Sequence, residues 1–177
     1  MNRIRLSTVV GSGRLTQYVD LDLVEMAASG LATCNRQSDS HLTMRFDEGD
    51  TVVTLHRTGK YSIRNANSDE QLETANQRLL SFLQRDVDDD IEELNAMTVD
   101  NRVWLAELDG AVDLETIDER FGDNAVHPNR KGAAVVCRFP EKQVVAFVPR
   151  DGPITISGTV DETTAEATVD AIRSTIE

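Results

Sequence analysis

The sequence predicts an α+β fold of two pseudo-symmetric halves, each an antiparallel sheet backed by helices on one face. Three observations carry this: an internal repeat at one constant offset, the same order of strand and helix signals in both halves, and apolar content sufficient for a core. Sliding the chain by 93 residues places Leu15 on Leu108, Val19-Asp20-Leu21 on Val112-Asp113-Leu114 and Arg45-Phe46 on Arg138-Phe139. The same offset brings Ala32 onto Ala125, Glu48 onto Glu141, Val52 onto Val145, Arg57 onto Arg150, Gly59 onto Gly152 and Ile63 onto Ile156. One gapless offset serving so many separated positions marks a duplicated structural unit. The repeats are expected at residues 1–90 and 91–177, intertwined as one domain. The acidic run 86–93 between them reads as a solvated connector.

Each half then justifies its elements in order. Apolar β-branched residues at 4–10 and 99–105 read as opening strands. The acidic starts at Asp20 and Asp113, each followed by an apolar run, suit short helices over 20–27 and 113–121. Three strands follow in each half, at 42–46, 51–56 and 61–65 and again at 135–139, 144–149 and 154–158. A longer helix closes each half. In the first, Ser68 is the N-cap with Gln71 completing a capping box, and Leu72, Ala75, Leu79 and Leu83 mark the buried face. In the second, Asp161 caps, and Ala165, Val169, Ile172 and Ile176 form the stripe.

Period-two alternation assigns the sheet faces. Val53, Leu55, Tyr61 and Ile63 share one face against the helices, leaving Thr54, His56, Ser62 and Arg64 on the other. In the second half Ala146, Val148, Ile154 and Ile156 turn inward. Phe147, Pro149, Thr155 and Ser157 turn outward, joined by Val103 and Ala133. Trp104 then belongs to the core. The open face is thus partly apolar in the second half and polar in the first.

Composition bounds the function. There are 31 Asp and Glu against 18 Lys and Arg, a net charge of −13, and only three of the basic residues are Lys. Acidity argues against nucleic acid through phosphate repulsion. Scarce Lys beside abundant Asp, Glu and Arg, however, is the composition of a protein working in multimolar salt, where the Debye length of about 3 Å removes long-range repulsion. No apolar run is long enough to span a membrane, and the N-terminus has no secretory apolar region. Two cysteines make no disulfide framework, so a reduced, cytoplasmic chain is expected. His41, His56 and His127 show no zinc spacing with them. Gly11-Ser12-Gly13-Arg14 lacks the ending of a phosphate-binding loop, and Asp88-Asp89-Asp90 lacks the EF-hand pattern. No catalytic motif is present; no catalytic residue, metal or cofactor is expected.

The repeat and its element order resemble the TATA-box-binding protein family over nearly the whole chain, in a divergent, haloarchaeal form. Val99-Asp100-Asn101-Arg102-Val103 is similar to the family's V-Q-N-I-V, and Asp113-Leu114-Glu115 to the start of its helix. Val135-Val136-Cys137-Arg138 is similar to its L-V-Y-R strand, Arg57-Thr58-Gly59-Lys60 to its S-S-G-K turn, and Ile154-Thr155-Ile156-Ser157-Gly158 to its I-V-I-T-G strand. The resemblance implies a saddle, one curved antiparallel sheet with helices on the convex face, acting in transcription on duplex DNA. It places Arg45, Arg57, Lys60 and Arg138 at phosphate-contacting positions, Arg64 toward a groove and Asn101 at a minor-groove acceptor. Val103, Phe147, Thr155 and Ser157 lie with them on the concave side. The four phenylalanine wedges of the family fall on Asp39, His56, Gly132 and Pro149, none of them Phe. The stirrup that docks transcription factor B, acidic in the family, reads His127-Pro128-Asn129-Arg130-Lys131. Two readings follow. One is a transcription factor with altered, weak duplex contact. The other is an interaction module that kept the saddle, lost DNA, and grips a transcription-factor protein through His127, Arg130 and Lys131 or through the concave surface. Self-association through the concave face is a third.

Overall fold

The computed structural model describes residues 4–46, 51–108, 112–128 and 133–176. They fall into two compact units, an N-terminal one of Thr8–Asp100 and a C-terminal one of Asn101–Glu177 with Met1–Ser7.

The N-terminal unit contains most of β1 (Ile4–Leu15), then α1 (Leu21–Ala27), β2 (Ala32–Ser38), β3 (His41–Phe46), β4 (Val52–His56), β5 (Lys60–Ala66), α2 (Asp69–Asp86) and the start of β6 (Glu93–Ala106). Its strands pair antiparallel in the order β2-β3-β4-β5-β1. Leu42, Met44, Leu55 and Ile63 project from one sheet face and are fully buried, as are Leu72, Leu79 and Leu83 on α2. Removing such a side chain from water stabilises by about 1.5–3 kcal/mol each. Ser68 caps α2 as expected, its Oγ accepting from the Gln71 amide at 3.0 Å. The Gln71 side chain takes the amide of Asn67 at 2.6 Å, one residue upstream of the reciprocal bond of a capping box.

One polar group interrupts this core. The Tyr61 hydroxyl shares its one proton between Asn76 Oδ1, at 2.8 Å, and Glu93 Oε1, and Asn76 Nδ2 donates to Glu93 at 3.2 Å. Gly13 faces the ring: a Cβ there would stand 2.2 Å from the tyrosine oxygen, so no larger residue fits beside it. In the β4–β5 turn Gly59 adopts φ +80°, which a side chain would strain, and its carbonyl accepts from the Leu15 amide at 2.8 Å.

The C-terminal unit contains the rest of β6, α3 (Leu114–Phe121), a 3-10 turn at Gly122–Asn124, β7 (Ala125–Val126), β8 (Ala134–Phe139), a second 3-10 turn at Pro140–Lys142, β9 (Val144–Pro149), β10 (Ile154–Gly158) and α4 (Glu162–Ile176). Its strands pair antiparallel as β6-β10-β9-β8-β7. Val135, Ala146, Val148, Ile154 and Ile156 meet Ile117 of α3 and Val169 and Ile172 of α4 in one cluster, which Ile4 from the start of the chain completes. Trp104 lies in that core, its Nε1 donating to the Val160 carbonyl at 3.3 Å. Asp113 and Asp161 cap α3 and α4 by accepting the amides of Glu115 at 3.1 Å and Thr164 at 2.9 Å. Those bonds, with Thr116 on Asp113, hold both carboxyls below the usual Asp range.

Two expectations change. The edge strands β2 and β7 were absent from the sequence reading, and β1 and β6 run longer than expected, to Leu15 and from Glu93. The acidic run is only partly a solvated connector. Asp88, Asp89 and Asp90 are exposed, but Ile91 is core and Glu93 is held by Tyr61. An apolar residue and a carboxylate with a buried donor can both be satisfied inside, whatever the charge of the run around them. No helix among the described residues is long and apolar enough to cross a membrane.

Candidate nucleic-acid interface

In each unit the helices cover one face of the sheet, and the strand residues of opposite parity form the other. On the N-terminal unit that open face is polar. Register aligns Asn35, Thr43, Thr54 and Ser62 in one row across β2 to β5. A second row is charged: Thr33 pairs with Arg45 and Val52 with Arg64, and extending the β3–β4 register sets Arg45 beside Val52. Thr33, Asn35, Gln37, Thr43, Arg45, Thr54 and Arg64 line a recess of about 520 Å³. Val52 at its floor is buried although it belongs to the open parity. Flanking arginines cover such a residue with their aliphatic stems while the guanidinium groups stay in water.

On the C-terminal unit the first of the equivalent rows is mostly apolar and the second is mixed. Val126, Val136, Phe147, Thr155 and Leu105 align across β7, β8, β9, β10 and β6. The next row runs Arg138, Val145, Ser157, Val103. Phe147 is 40% exposed. Against the first unit, Thr43 has become Val136 and Thr54 has become Phe147 at the offset of 93. Asn101 stands among these residues with its amide oriented: Ser157 Oγ donates to Asn101 Oδ1 at 3.0 Å, so its NH₂ is the group left to donate.

The arginines divide by place. Arg36 pairs with Asp22 at 3.2 Å, Arg85 with Asp86 at 2.6 Å and Arg173 with Asp170 at 3.4 Å. Among the described residues, Arg45, Arg57, Lys60, Arg64 and Arg138 are exposed, and no carboxylate among those residues forms an ion pair with them. A net charge of −13 makes such cations conspicuous.

Of the expected residues, Arg45 and Arg64 come together on one face, with Arg57 and Lys60 at the β4–β5 turn. Asn101, Val103, Arg138, Phe147, Thr155 and Ser157 share the other unit's face. The positions matching the family's wedges are spent elsewhere. Asp39 is exposed in the β2–β3 turn. His56 stacks on His41 at 5.1 Å between ring centres, and His41 is anchored through Nδ1 to Ser38 at 3.0 Å. Pro149 ends β9. His127 faces Asp118 of α3 at 3.1 Å. Gly132, Arg130 and Lys131 lie outside the described residues. Sequence reading missed Asn35, Thr43, Val126, Val136, Val145 and Leu105. The run Val-Val-Cys is apolar at both parities, so alternation is silent there.

Comparison with known proteins gives one answer. The family model described as transcription factor TFIID (or TATA-binding protein, TBP) matches residues 3–85. TATA-box-binding protein 1 of Haloferax volcanii is 32% identical over 176 residues, spanning 97% of this chain and 90% of its own. TATA-box-binding protein C of Halobacterium salinarum is 27% identical over 176 residues, spanning 98% and 97%. Among solved structures, TBP of Methanococcus jannaschii covers 98% of each chain at a TM-score of 0.76 and 22% identity, which shows a shared α+β saddle-like fold.

Proposed function

The chain belongs to the TATA-box-binding protein family, and from that premise we propose a cytoplasmic transcription factor whose contact with duplex DNA is altered and weak. The C-terminal unit's open face lies against the minor groove. There A·T pairs of either orientation offer only acceptors, which the oriented NH₂ of Asn101 satisfies while Val103, Val145 and Phe147 exclude water. The N-terminal unit's face takes sugar and phosphate through Arg45 and Arg64, with Arg57, Lys60 and Arg138 adding phosphate contacts. The observation that carries the reading is the Ser157–Asn101 bond at 3.0 Å inside a partly apolar face, which leaves the amide NH₂ free to donate to groove-floor acceptors.

The bend is small. Unstacking a base step costs a few kcal/mol, normally offset by an inserted apolar wedge. Asp39 and His56 offer none, since one is a carboxylate and the other is already stacked. With five cations available, log K against log[KCl] falls no more steeply than a slope of about −4.5.

The test is fluorescence anisotropy of labelled TATA-like and scrambled duplexes over about 0.2–3 M KCl, with folding followed by circular dichroism. Asn101→Ala lowers affinity for the TATA-like duplex about tenfold and leaves the scrambled one unchanged. Arg64→Ala weakens both alike and flattens the salt slope by about one. End-labelled duplexes show little change in energy transfer on binding. A folded chain that binds neither duplex ends this reading in favour of an interaction module without DNA.

A further inference from the structure

Eight large apolar side chains stand exposed among the described residues. Val126, Val145 and Phe147 belong to the open sheet face already described, and Leu94 stands alone on β6. The other four fall within residues 18–31: Tyr18 at 76% exposure, Leu23 at 49%, Met26 at 75% and Leu31 at 41%. They occupy α1 and its flanks. Leu23 and Met26 are three residues apart and share a helix face, while Leu21 and Val24 hold the buried one.

The C-terminal unit supplies an internal control. Both α1 and α3 are capped by Asp, and both bury their first and fourth residues, Leu21 and Val24 against Leu114 and Ile117. Yet at the offset of 93, α3 carries Thr116 in place of Leu23 and Glu119 in place of Met26, and Asn124 replaces Leu31. Core packing therefore does not require apolar residues at these positions. A cluster of them on a soluble surface marks an interaction site. Leu31 also lines a notch of about 250 Å³ with Phe46 and Phe82, beside Arg78 and Arg85 of α2, so the acidic edge of the surface is the one formed by α1.

We propose that the exposed face of α1 docks a partner protein's amphipathic helix, apolar on one side and basic along its edges. Charge selects that partner. Asp20, Asp22 and Glu25 flank the face, and Arg36, at 3.2 Å from Asp22 and 3.9 Å from Glu25, is one cation between two of them. The same carboxylates disfavour a second copy, because a two-fold pairing of α1 on α1 sets them against each other.

The test uses the full chain at the lowest KCl that keeps it folded. The probe is a labelled synthetic amphipathic helix of about 18 residues, Leu on one face and Lys and Arg on the edges, with a twin carrying Glu there. The basic peptide binds, and the acidic twin binds about tenfold more weakly or less. L23T/M26E, which installs the sister unit's residues, lowers affinity for the basic peptide at least about tenfold while duplex binding and melting temperature stay unchanged. Equal binding to wild type and L23T/M26E, binding to neither, or no preference between the peptides overturns the proposal. So does a dimer seen by sedimentation equilibrium that L23T/M26E abolishes.

Discussion

Tyr61 is the residue on which the N-terminal unit's chemistry concentrates. Burial first, and the adjacent Glu93 carboxylate second, push its phenol well above the ordinary value of 10.0. The neutral hydroxyl carries the one proton that the Asn76 and Glu93 oxygens share. Tyr61→Phe leaves two acceptors with one donor fewer, and a cost of about 1–3 kcal/mol is expected in denaturant unfolding at fixed KCl. The pH dependence follows from the same shift. A folded value raised above the unfolded one keeps its full contribution below about pH 10 and loses it as pH rises further. Wild type therefore destabilises in alkali more steeply than Tyr61→Phe, and melting curves from pH 8 to 11.5 (about that range) separate the two. Cys137 illustrates the other use of burial. Its thiol is pushed up to about 12 by burial, chiefly, and by Asp118, so it behaves as a core residue and not as a nucleophile.

At the scale of the element, helix α2 carries the apolar load of its unit. Leu79→Ala removes a fully buried side chain and is expected to cost about 2–5 kcal/mol, whereas Leu23→Ala on exposed α1 stays within about 0.5 kcal/mol. Comparing both by urea unfolding tests which helix face is core. Helix α2 and the central strands were legible in the sequence because Leu72, Ala75, Leu79 and Leu83 keep helical spacing and Val53, Leu55, Tyr61 and Ile63 keep period two. Strand β2 was not, since Thr33, Asn35 and Gln37 are polar and Arg36 turns back to α1 carboxylates, leaving no apolar parity to detect. The two residues of β7 are too few to show a period. The site divides in the same way. Arg45, Arg64, Asn101 and Phe147 could be placed from alternation and family likeness. The bond orienting Asn101, the histidine stack at His56 and the exposure of Leu23 and Met26 depend on tertiary neighbours that no local pattern encodes.

At the scale of the whole molecule, charge governs conditions. A net charge of −13 on 177 residues repels itself in dilute salt, and screening relieves that repulsion as the Debye length falls from about 10 Å at 0.1 M to about 3 Å at 1 M. Melting temperature is expected to climb steeply with KCl up to about 1 M and more slowly beyond, where only reinforced apolar burial remains to act. A melting temperature flat in KCl by circular dichroism contradicts this account.

The seating of Ile4 in the C-terminal unit's core has a consequence for how the chain is made. Residues emerge from the ribosome in order, and domains generally fold as they appear. The stretch Thr8–Asp100 holds its own sheet and helices and is free to settle while synthesis continues. Ile4 has no such freedom: its core cluster includes Val169 and Ile172 of α4, which are made about 160 residues after it. A segment made before the first unit is thus among the last to find its place, and closure of the second core waits until α4 has been made.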